Sequence, residues 1–195
     1  MGKRCIEASD IVAAEQFGRE RQARRAALLP VKRLRRVEVG PYCTFYFESY
    51  ETMLFQVQEM LYIERGGQEQ LADELAAYNP MIPQGDELVA TIMFEIDEPR
   101  RRAAVLARLG GAEECFFIQV GDEKIRGLSE QEVERTNEEG KASSVHFVHF
   151  KLKPEHIARF RDPATQILAG VDHETYAHMA LLSPAARAEL AKDFA

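Results

Sequence analysis

Residues 42–64 read YCTFYFESYETMLFQVQEMLYIE, and the change of period inside this stretch decides the fold class. Tyr42–Phe47 is a run of aromatic and β-prone residues, which predicts a strand. From Tyr50 the period changes. Tyr50, Met53, Leu54, Val57, Met60 and Leu61 recur at helical spacing, which predicts a helix over 50–64. Phe55, Tyr62 and Ile63 fall on its other side, and a helix apolar nearly all round is expected in the middle of a fold. Gly66-Gly67 ends it.

Outward from this centre, Gly40-Pro41 marks a turn before the strand. A basic helix is expected from about Arg19 to Leu29, interrupted or restarted by Pro30. Ser9-Asp10 suit the cap of a short helix ahead of it. On the C-terminal side a second helix is expected over about Glu69–Tyr78, stopped by Asn79-Pro80. Leu88, Ala90, Ile92, Phe94 and Ile96 alternate, as in a strand with one face on a core. Pro99 suits the first turn of a helix ending at Gly110-Gly111. Cys115–Val120 and Val145–Leu152 read as strands, and Pro154 opens a short helix. Residues 129–143 are polar and read as a surface loop. Gln166–Val171 reads as the last strand, and Ser183-Pro184 as the start of a C-terminal helix. Helices mixed irregularly with alternating strands indicate an α+β fold with a mostly antiparallel sheet, a buried central helix and a basic helical N-terminal arm.

The chain has 195 residues, which suits one domain. We expect a basic arm over 1–40 that is part of the same domain, and an α+β core over 41–195. Apolar residues make up 46% and charged residues 29%, a globular composition. Three scattered cysteines, Cys5, Cys43 and Cys115, do not make a disulfide framework, and they are expected reduced in the cytoplasm. The first ten residues lack the apolar stretch of a signal peptide. No window is long and apolar enough to span a membrane, so no membrane partner is expected.

Net charge is −7 and unevenly spread. Residues 1–40 hold ten basic and five acidic residues, +5, which leaves −12 for the rest. Arg24, Arg25, Lys32, Arg33, Arg35 and Arg36 form the densest part. Two readings stay open: a docking segment for an acidic partner, or an arm that pairs with the chain's own acidic body. The run lacks interleaved aromatics, which argues against single-stranded nucleic acid. Homo-oligomerisation is left open by composition.

Glycine-rich nucleotide motifs, GxSxG, HExxH and CxxC are all absent. Glu59 shares its side of the helix with Phe55 and Tyr62, and Gln56 and Gln58 are close by. A carboxylate in such a place is a site candidate, or it pairs with an arginine, for which the basic arm is a source. His146 and His149 are three apart in a strand and face opposite ways. Within Asp172–His178, a helical turn would put Glu174 and His178 on one face as metal ligands; an ion-paired surface turn explains the residues equally well. No cofactor follows from the sequence, but a metal ion at His173, Glu174 and His178 is one option. Cys43 and Cys115 lie in predicted strands and read as inert buried thiols.

The stretch VEVGPYCTFYFESYETMLFQVQEMLYIER, followed in order by LVATIMFEI, SSVHFVHFKL and VDHETYAHMALLS, resembles the bacterial family called domain of unknown function 3501. Residues matching its pattern include Glu48, Glu51, Thr52, Gln56, Gln58, Glu59, His173, Tyr176 and His178. Ser49-Tyr50 stands where the family often has Asn-Arg. The family carries no established activity. Its genes often neighbour those for rubrerythrin and for heterodisulfide-reductase-type iron–sulfur proteins, which implies a role beside a peroxide-detoxifying or electron-transfer system.

Two functions follow as expectations. One is a non-catalytic accessory protein that docks its basic arm on an acidic redox partner, a rubrerythrin or an iron–sulfur protein. The other is a metal-dependent or small-molecule enzyme that joins Gln56, Gln58, Glu59 and Tyr176 with His173 and His178.

Overall fold

The structure is a computed structural model and describes residues 2–129 and 142–195. The loop expected at 129–143 therefore lies, over residues 130–141, outside the described residues.

In chain order, a short 3-10 turn (Ala8–Asp10) precedes helix α1 (Ala14–Leu34), strand β1 (Arg36–Val39), strand β2 (Cys43–Phe47), helix α2 (Tyr50–Glu64) and helix α3 (Gly67–Tyr78). Strand β3 (Glu87–Phe94), helix α4 (Pro99–Leu106), and strands β4 (Phe116–Val120), β5 (Glu123–Arg126), β6 (Leu128–Ser129) and β7 (Val145–Lys151) follow. Helix α5 (Pro154–Arg161), strands β8 (Ile167–His173) and β9 (Tyr176–Leu181) and helix α6 (Pro184–Leu190) complete the order.

Local chemistry sets several of these ends. The Ser49 hydroxyl accepts the Thr52 N–H at 3.3 Å, and the Thr52 hydroxyl accepts the Ser49 N–H at 2.8 Å. This reciprocal cap fixes the start of α2 at the expected residue. Glu98 caps α4 and Ser183 caps α6, each with proline at the first helical position. Pro30, in contrast, does not interrupt the basic helix: α1 runs through it without a break. A proline costs one helical hydrogen bond. Here the helix is held on both sides of it, by Arg21 on Glu59 of α2 and by Arg35 on Asp193.

The strands form two antiparallel sheets, in the orders β1-β2-β3-β7-β6 and β5-β4-β8-β9. The expectation of a mostly antiparallel α+β fold therefore holds, with two sheets in place of one. Their inner faces enclose the main core. Phe45 and Phe47 of β2, Leu88, Ile92 and Phe94 of β3, and Phe150 of β7 meet Phe116 and Ile118 of β4 and Val171 of β8. Phe45 stacks on Phe150 with ring centroids 6.2 Å apart and meets Phe116 edge-on at 5.9 Å. The outer face of the first sheet carries a second, smaller core, in which Val89 of β3 packs with Met53 and Val57 of α2, Ile6, Met81 and Ile82. Helix α2 thus lies against the sheet, and α1 covers its far side through Phe17, which touches the rings of Phe55 and Tyr62. Its burial is incomplete, since Ile63 is 62% exposed.

The boundary expected at residue 40 falls inside the β1–β2 hairpin, so the arm contributes an edge strand to the first sheet. His146 and His149 do face opposite ways. His146 is buried between Phe94 and Phe116, and His149 is on the outer face beside Glu87. No helix among the described residues is long and apolar enough to cross a membrane.

Candidate functional site

The conspicuous polar residues of α2 fasten the N-terminal segment to the body. Arg21 clasps Glu59 with two parallel hydrogen bonds, Nε to Oε1 at 2.7 Å and Nη2 to Oε2 at 2.6 Å. That clasp, with weaker attraction from Arg25 and Lys32, outweighs the partial burial of Glu59 and holds its carboxyl below the ordinary glutamate range. Of the two readings of Glu59, the structure gives pairing with an arginine of the arm. The buried amide of Gln58 accepts the Val12 N–H at 3.0 Å and donates to the Val12 carbonyl at 3.3 Å. The Gln56 amide reaches the Tyr78 hydroxyl of α3 at 3.5 Å. Glu48 accepts the hydroxyls of Thr52 and Thr91 at 2.6 and 2.7 Å, and so ties α2 to β3.

The histidine-rich segment is a hairpin and not a helical turn. His173 ends β8 and pairs with Tyr176, which begins β9, so Glu174-Thr175 is the connection. Glu174 and His178 therefore do not share a helical face. The His173 Nδ1 accepts from the Thr175 N–H at 3.2 Å, so its Nε2 carries the hydrogen and donates to the Gly110 carbonyl at 3.1 Å. The ring is fully used in closing the turn. Tyr176 is buried, and its hydroxyl accepts the N–H groups of Tyr42 and Cys43, both at 3.0 Å, and donates to the Val39 carbonyl at 2.7 Å.

The first sheet separates α2 from the β8–β9 hairpin, so Gln56, Gln58 and Glu59 are not brought together with His173, Tyr176 and His178. Among the described residues, no group of three or more His, Cys, Asp or Glu side chains is arranged to hold a metal ion. Burial pushes the Cys43 and Cys115 thiols up, away from the reactive thiolate.

The basic run divides into two kinds of residue. Arg24 pairs with Glu20 within α1 at 2.7 Å. Arg36 pairs with Glu38 and with the Tyr46 hydroxyl. Arg35 is not a docking residue: it is 3% exposed. It makes a bidentate pair with Asp193 at 2.6 and 2.9 Å, donates to the Glu48 carbonyl at 2.9 Å and reaches Glu189 at 3.3 Å. Lys192 completes this cluster on Glu189. Arg25, Lys32 and Arg33 are exposed and form no ion pair among the described residues. Leu29, 44% exposed, lies between them. Below this stretch a cavity of ≈ 360 Å³ opens between α1 and the outer face of β2 and β3, lined by Leu29, Lys32, Arg33, Tyr46, Thr91 and Met93. Spacing alone could have shown that Arg25, Leu29 and Lys32 share one stripe of a helix continued through Pro30.

Comparison with known proteins places these observations in a family. No curated protein matches the chain. A crystal structure of a novel protein of unknown function from Burkholderia pseudomallei K96243 is similar, with 30% identity and a TM-score of 0.89, over 97% of this chain and 99% of that one. The family model described as "Protein of unknown function (DUF3501)" matches residues 5–194, and the chain belongs to that family.

Proposed function

We propose that this chain is a non-catalytic docking protein whose α1 surface engages an acidic partner protein. One observation carries this reading: Arg25, Lys32 and Arg33 project from α1 without an ion pair among the described residues, with Leu29 exposed among them. The rest of the chain is strongly acidic, yet Glu59 attracts Arg25 and Lys32 only without contact, and its hydrogen bonds go to Arg21. An exposed ion pair is worth only ~0–1 kcal/mol, whereas a concentrated positive patch accelerates encounter with a negative surface. Leu29, exposed among the cations, supplies apolar area that a bound partner would bury. The partner is an acidic redox protein of the rubrerythrin or iron–sulfur type, met in the cytoplasm in an oxidative-stress or electron-transfer setting.

The test replaces Arg25, Lys32 and Arg33 with Gln and leaves Arg35 and Arg36 in place. Binding to purified rubrerythrin and to the iron–sulfur protein from the same cells is measured by calorimetry at low and high salt. Wild type binds one of them more weakly as salt rises. The triple variant loses most of that binding, with an unchanged melting temperature. Equal binding by variant and wild type, or no salt dependence, refutes the docking role of α1.

A further inference from the structure

Among the described residues, four strands form the sheet edges, and three of them are protected against pairing with another chain. Strand β1 carries Arg36 and Glu38, β5 carries Glu123, Lys124 and Arg126, and β6 is two residues long. Charge and shortness are the usual protections of an edge. Strand β9, YAHMAL, has neither: it spans six residues and contains no Asp, Glu, Lys or Arg.

The direction of its backbone follows from the register. Leu182 donates its N–H to Ile167 at 2.9 Å, and Asp172 of β8 donates in the opposite direction, to Cys115 at 3.1 Å. Odd-numbered residues of β8 thus bond to β9, and even-numbered ones to β4. By the register of the pair, Tyr176, His178 and Ala180 bond to β8. Antiparallel ladders alternate, so the N–H and C=O groups of Ala177, Met179 and Leu181 point to the open edge. No described residue hydrogen-bonds to them there. The side chains of these three residues lie on the outer face of the second sheet, which no helix among the described residues covers at this edge. Met179 is 58% and Leu181 61% exposed. Leu168, across from Leu181, extends the apolar strip.

We infer that β9 is a self-association edge, on which a second copy of this chain pairs antiparallel to the first about a two-fold axis at Met179. Three features favour a second copy over another occupant. The free rungs are arranged symmetrically about Met179, so Ala177 of one copy falls opposite Leu181 of the other and Met179 meets Met179, with about six new backbone hydrogen bonds. An uncharged strand meets its own copy without the like-charge repulsion that an acidic chain of net charge −7 would otherwise bring. The nearest carboxylate on this face, Asp172, is already held by Lys124 and Arg126. The pairing would also cover Met179 and Leu181 with one another and join the two four-stranded sheets into one. One strand pair with its flanking apolar strip is at the small end of the ~1,200–2,000 Å² typical of stable interfaces, so the dimer forms in a concentration-dependent way.

The experiment is analytical ultracentrifugation of the full chain over a wide concentration range. Two variants are compared with wild type. Met179→Pro removes an N–H that points to the open edge, so no β8–β9 bond is lost. Leu181→Lys places a charge on each side of the pairing without touching the core. Wild type is expected to move from monomer to dimer mass as concentration rises, while both variants remain monomers with the melting temperature of dilute wild type. If Met179→Pro fails to fold, Leu181→Lys decides. A wild type that stays monomeric at every concentration overturns the inference, and so does dimerisation of Leu181→Lys equal to wild type.

Discussion

Gly40 and Tyr176 fit each other across the two sheets. Gly40 holds φ at +74°, and a Cβ added there would lie 2.8 Å from the Tyr176 hydroxyl oxygen and 2.5 Å from the His178 ring. The same hydroxyl closes the β1–β2 hairpin by bonding to Val39, Tyr42 and Cys43. The open corner where β1 approaches β9 is thus sealed by one phenol against one glycine.

Removal of that hydroxyl leaves two N–H groups and a carbonyl without their partner in a buried place. Tyr176→Phe is expected to cost ~2–4 kcal/mol, because each unsatisfied buried group costs ~1–3 kcal/mol and relaxation recovers part of it. Urea unfolding with an unchanged slope measures this. A loss indistinguishable from zero would mean that water replaces the phenol.

Gly40→Ala meets three obstacles, the left-handed backbone, the Tyr176 hydroxyl and the His178 ring. The backbone part alone is ~1–2 kcal/mol. His178→Ala removes the ring's share of the steric part and leaves the Tyr176 hydroxyl's, so the double variant should be more stable than the two single losses added together. Strict additivity would show that the ring swings away freely.

Helix α2 was legible in the sequence to the residue, because its signals are local. The apolar period lies within its own length, and Gly66-Gly67 follows directly after its C-cap. The alternation of β3 was legible for the same reason. Strand β9 was not, because Asp172–His178 mixes short-range signals, and the hairpin is fixed by Tyr176 reaching residues more than 130 positions away. Nor could sequence show which cation of Lys32, Arg33, Arg35 and Arg36 turns inward. That choice is made by Asp193, 158 positions distant. The bland reading of Glu59 was available from composition, but its specific partner, Arg21, required α1 to be laid along α2.

Incomplete burial of α2 gives a contrast that a helix buried all round would not. Met53 is 5% exposed in the second core, and Met53→Ala should cost ~2–5 kcal/mol. Ile63→Ser, on the open side, should stay within about 0.5 kcal/mol. Comparable losses at both positions would mean that Ile63 is covered in solution.

Glu87 gives a pH dependence with a definite sign. Its carboxylate is 2% exposed and held by His149 at 2.9 Å and Lys151 at 3.1 Å. Burial raises its pKa, but these partners outweigh burial, and the net shift is downward. A lowered folded-state pKa contributes stability that is present above the unfolded value and is lost as pH falls through the folded one. Glu87→Gln should therefore flatten the acid limb of the stability profile, starting near the ordinary glutamate value. An acid limb equal to wild type would assign the acid sensitivity to other carboxylates.

The cluster of Arg35, Asp193 and Glu189 joins the end of α1 to the C-terminal segment, and its removal should be read in two steps. Arg35→Leu leaves Asp193 buried without its bidentate partner, and breaking one side of a buried pair costs ~3–5 kcal/mol. Burial already pushes the Asp193 carboxyl above its ordinary value, with Arg35 pulling it back. Without Arg35 the upward push is unopposed. A raised folded-state pKa favours the fold below the unfolded value and loses that advantage as pH rises through the folded one. The deficit of Arg35→Leu should accordingly shrink on mild acidification, in the direction opposite to the Glu87 effect. Replacing both charges, in Arg35→Leu with Asp193→Leu, should recover much of the loss, because no bare charge is then buried. Chemical denaturation of the two variants at neutral and mildly acidic pH measures all three expectations. A deficit that grows on acidification, or a double variant less stable than Arg35→Leu alone, would mean that Asp193 is solvated in the folded protein.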